Sequence, residues 1–447
     1  MEYQLVVAVG AGIAALLFLI LIVRIQAFMA LLIVCILVGV LSGLSAEAVM
    51  NSIKNGMGST LGFVATVVGL GALFGGMLEH SGGAKSLANF ILRLTGPDKA
   101  SWAMMITGFI IAIPVFFDVA FIILVPMVYA IARKTKKSLF LYAIPLLAGL
   151  AITHSFIPPT PGPVAVADII GANLGWVIVF GFLTGIPAAI ISGPFFARYI
   201  SKKITVAVPE IISSEDSNKN LPNPMIIIAI IALPILLIVL NTVFTTTNSG
   251  NPEEDHILRY ALTLIGHPFS ALLIANLIAW YYLGIRRGVS KKELLTISTE
   301  SFKPAGAIIL LTGAGGAFKQ ILVDTKAGEL LATSIQDSFL HPLLFAFSIA
   351  AVIRVLQGSA TTAMIAAAGI TSPVISQGNF SASEVALFVI AIASGASILS
   401  HVNDSGFWLV GQYLGLSEKQ TFQSWTVMTT LIAITGILMS MLLWYVW

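Results

Sequence analysis

The chain has 447 residues, 57% of them hydrophobic and only 10% charged, with a formal net charge of +3. A soluble domain carries about 25% charged residues, so this composition excludes one and predicts a polytopic membrane protein with little mass outside the bilayer. The absence of a GxxxxGK[ST] loop argues against ATP-driven transport, and the lone Cys35 rules out an intrachain disulfide.

A membrane span needs about 20 apolar residues. Residues 5–23 and 28–44 are the first two spans; the first lacks a basic leader and a cleavage site and reads as retained. Residues 60–78 form a third, rich in glycine (Gly69, Gly71, Gly75, Gly76), which permits close helix contact. The stretch 102–132 is too long for one straight span and is interrupted around Pro114, just before Asp118. Residues 138–170 read as a broken helix, because Pro158, Pro159, Pro161, Gly162 and Pro163 remove donors and clash with the preceding turn. That break carries Thr153, His154, Ser155 and Thr160. A span over 176–199 ends the first half, and the polar stretch 201–223 is a linker.

The second half repeats this order. Spans at 225–243 and 258–283 are followed by a glycine-rich span at 305–323, with Gly306, Gly313, Gly315 and Gly316. A long apolar stretch, 341–372, is interrupted by Gln357-Gly358-Ser359-Ala360-Thr361-Thr362, with Arg354 about one helical turn earlier. The stretch 385–413 is broken at Ser400-His401-Val402-Asn403-Asp404-Ser405, and 425–447 closes the chain. Lys and Arg cluster near 24, 85–99, 133–137, 198–203 and 286–292, which the positive-inside rule places in the cytoplasm. Those loops share one side only if 102–132 and 341–372 each return to the side they start from; a single long kinked span would put a basic loop on the wrong side. The expected fold is therefore an all-α polytopic membrane protein of two inverted repeats. It has about ten spanning helices, two re-entrant hairpins (102–132 and 341–372) and two broken helices (138–170 and 385–413). The repeats are 1–200 and 224–447, and 201–223 is a cytoplasmic linker.

Interrupted segments at matching positions of two repeats point to a transporter's binding site, since unpaired backbone at membrane depth is tolerated only around a cavity or inside protein. Helix N-termini at the breaks suit a carboxylate, and clustered hydroxyls suit a hydroxylated ligand. The candidate substrate-binding residues are Thr153, His154, Ser155, Thr160, Arg354, Gly358, Ser359, Thr361, Thr362, Asn403 and Ser405. Ionisable residues inside spans are costly and usually functional; Asp118, His154, His401 and Asp404 are the candidates for carrying a coupled proton. Asp118 or Asp404 could equally serve as a helix cap, and Arg354 and Lys319 could each clamp a carboxylate or neutralise an aspartate. An intramembrane enzyme is disfavoured, because Cys35 is far in sequence from any histidine and no HExxH or paired-aspartate motif occurs. No cofactor, metal or nucleic-acid partner is expected.

Several runs resemble the gluconate:proton symporter family, within the wider ion-transporter superfamily. They are GLGALFGGMLEHSGGA (69–84), PVFFDVAFIILVPMVYAIARKT (114–135), HSFIPPTPGP (154–163), LTGAGGAFKQIL (311–322), RVLQGSATTAM (354–364) and NDSGFWLV (403–410). The resemblance covers nearly the whole chain. It implies proton-coupled uptake of gluconate or a related sugar acid across a bacterial inner membrane, with idonate, fructuronate, glycerate and D-serine as substrates of relatives. It also implies elevator-type alternating access and a homodimeric scaffold. Asp118 stands where the family often has glutamate, and Thr160 where a histidine is expected in a PPHPGP-like run. Sodium coupling and a passive channel are the competing modes of transport.

Overall fold

The computed structural model describes residues 2–204, 206, 221–247, 256–325, 341–402 and 404–447. Among these the chain forms helices and no strand. In order they are α1 (Glu2–Leu21), α2 (Ala27–Leu41), α3 (Ala46–His80), α4 (Gly83–Thr95), α5 (Ala100–Ile111), α6 (Phe117–Thr135), α7 (Phe140–Phe156), α8 (Pro161–Ile170) and α9 (Leu174–Lys203). The second half has α10 (Pro224–Thr247), α11 (His256–Gly266), α12 (Pro268–Ala279), α13 (Lys291–Ser301), α14 (Lys303–Asp324), α15 (Pro342–Gln357), α16 (Ala360–Gln377), α17 (Ala382–Ser397), α18 (Ser405–Leu414) and α19 (Glu418–Val446). Among the described residues, seven helical segments are long and apolar enough to cross a membrane, and five shorter apolar helices accompany them.

Each interruption read from the sequence is a break between two helices. Residues 112–116 separate α5 from α6, and 157–160 separate α7 from α8. Pro161 opens α8 at a position where its missing N–H costs nothing. Gly358 and Ser359 separate α15 from α16. Gly358 has φ +90°, a conformation that disfavours a side chain, and the Ser359 hydroxyl caps α16 by accepting from Thr362 N at 3.3 Å. Residues 398–404 separate α17 from α18. Residues 112–115 and 157–160 of the first two breaks are buried, whereas Leu399 and Val402 in the break at 398–404 are exposed. In the α7–α8 segment 83% of the apolar window is buried, against 33% in α10 and α12. At the α7–α8 break, protein surrounds the freed backbone groups.

The two halves pack by the same pairings. α1 lies on α2 as α10 lies on α12; α2 packs on α14 as α12 packs on α3; α5 pairs with α7 as α15 pairs with α17. The last two pairs are held by matching glycines. A Cβ on Gly149 of α7 would sit 2.3 Å from Met105 O, and one on Gly395 of α17 would sit 2.2 Å from Phe347 O. Helix α3 crosses α14 with similar closeness, since a Cβ on Gly56 would lie 2.5 Å from Gly316 O. The Ser52 hydroxyl also donates to Asp324 Oδ2 at 2.5 Å across this contact.

Three segments differ from the sequence reading. Residues 79–101, expected as a loop, hold the amphipathic α4, which buries Leu87, Ala88 and Ile91 and turns its basic residues outward. The span expected over 258–283 is divided at His267-Pro268. Proline cannot continue α11, and it starts α12 with His267 Nδ1 accepting from Phe269 N at 3.3 Å. The glycine-rich span at 60–78 is the second part of the 35-residue α3, which begins at the Ser45 cap and passes through the polar residues 51–59. At 1.5 Å per residue it is about 52 Å long, more than a membrane's hydrocarbon thickness. The acidic loop near 253–255 and most of the linker fall outside the described residues.

Candidate functional site

The tips of the breaks meet at a central cavity of about 580 Å³. Asp118 comes from the first turn of α6, His154 and Ser155 from the end of α7, and Arg354, Gly358, Ser359 and Thr361 from the α15–α16 tip. Asp404 and Ser405 come from the start of α18. Three helix N-termini therefore open onto one space, those of α6, α16 and α18. Each carries free N–H groups and a partial positive charge of about half a unit, a favourable setting for anions.

The charges in this wall are arranged unequally. Arg354, 4% exposed, points Nη2 at Asp404 Oδ2, 2.5 Å away. Asp404 also caps α18, its Oδ1 accepting from Gly406 N at 3.0 Å, and its Oδ2 accepts from the Ser400 hydroxyl. Ser400 is fixed in turn by Trp425, whose Nε1 donates to it at 2.6 Å, and by Thr429, whose Oγ1 accepts from Ser400 N at 3.2 Å. Asp404 is thus fully occupied. Arg354 is not: its buried Nε and Nη1 have no hydrogen-bond partner among the described residues, and the same holds for Gln357 Oε1 and His154 Nδ1. A buried polar atom left unpaired costs about 1–3 kcal/mol, more when charged; Arg354, Gln357 and His154 all line the cavity. Asp118 is exposed to the cavity and has no ion pair or hydrogen bond among the described residues.

Other sequence candidates lie elsewhere. Thr153 is fully buried, and its hydroxyl donates to Phe109 O at 2.8 Å, tying α7 to α5. Thr160 donates to Ile157 O at 2.6 Å within its own break and lines a small void beside the cavity, together with Phe116 and His154. Thr362 donates to Ser359 Oγ at 3.0 Å and faces away from the central cavity. The His401 ring meets Val355 O through Nε2 at 2.8 Å and lies off the cavity wall. Asn403 falls outside the described residues. Of the two roles open to Lys319, its charge interacts with Asp168 on α8, away from the cavity. The sequence reading missed Gln357, Ser397, Trp425 and Thr429, all of which line the cavity. The signal for Trp425 was its place among Ser424, Thr426 and Thr429 in an apolar segment, where the helix also widens into a π-helical turn at Phe422–Thr426.

A buried, charge-bearing cavity walled by helix breaks, inside a multi-pass helical bundle, defines a membrane transporter. The chain belongs to the GntP permease family, whose model matches residues 3–446. It is 38% identical over 424 residues to the gluconate permease of Pseudomonas aeruginosa, covering 94% of this chain and 93% of that protein. It is 36% identical to the Gnt-II system L-idonate transporter of Escherichia coli K12, covering 97% of each. Its fold is similar to the crystal structure of the YdaH transporter of Alcanivorax borkumensis, with a TM-score of 0.68 at 14% identity over 94% of this chain and 98% of that one. The protein is a multi-pass transporter of the bacterial inner membrane.

Proposed function

We propose that this protein is a secondary active transporter that takes up gluconate or a related sugar acid together with a proton. The observation that carries this reading is the charge balance of the central cavity. Among the described residues its wall holds one cation, Arg354, and two carboxylates, Asp404 and Asp118. Asp404 caps its helix and pairs with Arg354, leaving Asp118 uncompensated. The substrate carboxylate binds between the unpaired nitrogens of Arg354 and the N-terminus of α16, where the N–H groups of Ala360 and Thr361 have no helical partner. The sugar hydroxyls meet Ser155, Ser359, Thr361, Ser405 and Gln357. A second negative charge in this enclosed space is repelled by Asp118, and one proton on Asp118 removes that repulsion. One anion and one proton thus enter together. His154, packed against Phe116 with ring centroids 6.3 Å apart, positions the α6 tip.

In this reading the paired segments α5–α8 and α15–α18 move as a unit against α1–α3 and α10–α14, as an elevator. The hydrogen bond from Ser372 on α16 to Ile169 O on α8, at 3.0 Å, supports joint movement of the two halves of that unit. The loop charges orient Arg24 and the linker to the cytoplasm, and a homodimer supplies the fixed frame. Uptake of labelled D-gluconate in proteoliposomes, with pH and sodium varied separately, tests this function. Competition by idonate, fructuronate, glycerate and D-serine then ranks the substrates. Accumulation that follows the proton gradient without sodium supports the reading, and accumulation that requires sodium rejects the proton.

A further inference from the structure

A second cavity, of about 400 Å³, lies on the other face of the α15–α16 tip. The tip contributes Gln357, Ser359, Thr361 and Thr362, and the connection between α1 and α2 contributes Arg24 and Gln26. Gln357, Ser359 and Thr361, with Ile308 of α14, line the central cavity as well. The tip is therefore a wall with two polar faces, one served by Arg354 and the other by Arg24.

Among the described residues, Arg24 is the one charged residue in the lining of this second space. It is solvent-exposed and has no ion pair or hydrogen bond among the described residues. Its backbone sits at φ +60°, in the left-handed region that costs a non-glycine residue about 1–3 kcal/mol. A turn that needs this conformation is ordinarily given to glycine; here it carries a long cation instead. An unpaired cation lining a cavity that shares its wall with the proposed binding site points to a ligand.

We propose that Arg24 forms a second anion-binding point on the substrate's route. A carboxylate leaving the central cavity passes round the tip into this space. There the Arg24 guanidinium and the hydroxyls of Ser359, Thr361 and Thr362 hold it before release. The volume lies within the range of about 300–1,000 Å³ found for small-molecule sites. Arg24 and Ile308 belong to elements packed on the α2–α14 side, whereas the tip belongs to α15–α16, so the site changes shape if the tip moves. The proposal rests on an anionic sugar-acid substrate, as inferred above, and not on the identity of the coupling ion.

The test compares right-side-out with inside-out membrane vesicles containing wild-type protein or the variants Arg24→Gln, Arg24→Gly and Arg24→Lys. The glycine variant removes the charge and relieves the backbone, the glutamine variant removes only the charge, and the lysine variant keeps it. For labelled gluconate presented on the face that holds Arg24, both neutral variants should raise the half-saturating concentration about tenfold, as for the loss of one charge-assisted hydrogen bond. Presented on the opposite face, gluconate should show an unchanged value. The lysine variant should stay near wild type. On the Arg24 face the wild-type value should rise with ionic strength more steeply than that of Arg24→Gln, because the site is exposed and screened. Equal effects on both faces, or none on either, would overturn the proposal while leaving the function intact. A wild-type protein that moves none of the sugar acids would overturn the function, and this site with it.

Discussion

Replacing Asp118 by asparagine isolates the proposed proton carrier. The substitution keeps the shape and polarity of the side chain and removes its charge for good. A sphere of 580 Å³ is about 10 Å across, so a substrate carboxylate at the far wall lies about that distance from Asp118. At an effective dielectric of about 20, two like charges so placed repel by about 1.7 kcal/mol, or about 15-fold in affinity. Wild-type affinity for gluconate should therefore fall by about that factor as pH rises and Asp118 loses its proton. In Asp118→Asn the affinity should stay at the acidic value throughout. Because the variant binds substrate without a proton, it should exchange external for internal gluconate yet fail to accumulate it against a gradient. Counterflow and gradient-driven uptake, measured in the same proteoliposomes between pH 5.5 and 8.5, read both effects. A variant that keeps the wild-type pH dependence and still accumulates gluconate would refute the assignment of the proton to Asp118.

Asp404→Asn should behave differently. It retains the helix cap but frees Arg354 from its counter-ion, so binding should tighten while the pH profile keeps its shape; a flattened profile would move the proton to Asp404. Arg354→Ala should abolish measurable binding and also destabilise the protein by about 3–5 kcal/mol, because Asp404 stays buried without its partner. Normal affinity in a folded Arg354→Ala protein would remove Arg354 from the site. Thr153→Val should lower thermal stability by about 1 kcal/mol through the lost bond to Phe109 O and leave substrate affinity unchanged; a large affinity loss would return Thr153 to the site. Gly395→Ala should cost about 1–3 kcal/mol in a detergent melt, since its Cβ would meet Phe347 O. Gly58→Ala, which opens onto empty space, should be neutral, and equal effects of the two would refute the packing argument.

The architecture was legible where the chemistry conflicts with its surroundings. Proline, glycine and polar residues inside apolar runs at 113–118, 157–163, 357–362 and 400–405 signal an interruption, and each is a break between helices. The charged residues Asp118, Arg354 and Asp404 all line the central cavity. What the sequence hid depends on tertiary contact. Arg354 and Asp404 are 50 residues apart, and nothing local says that the cation is held by that carboxylate rather than free for substrate. Thr153 and Thr362 look like Ser155 and Thr361 in the sequence; steps of one or two residues along a helix decide which of them face the cavity. Trp425 and Thr429 stand on an unbroken helix, where a lone polar residue ordinarily bonds its own backbone. Helix α4 went unread because its charges resemble those of a cytoplasmic loop, and its apolar stripe is only four residues apart at Leu87 and Ile91.

Coupled entry of gluconate and a proton separates this mechanism from sodium symport and from a passive channel. Its most direct test is to add gluconate outside proteoliposomes that have no ion gradient and no sodium, and to follow the internal pH. The interior should acidify as gluconate enters, and Asp118→Asn should abolish the acidification while gluconate exchange continues. Gluconate entry with no change in internal pH, or entry only when sodium is supplied, would contradict proton coupling.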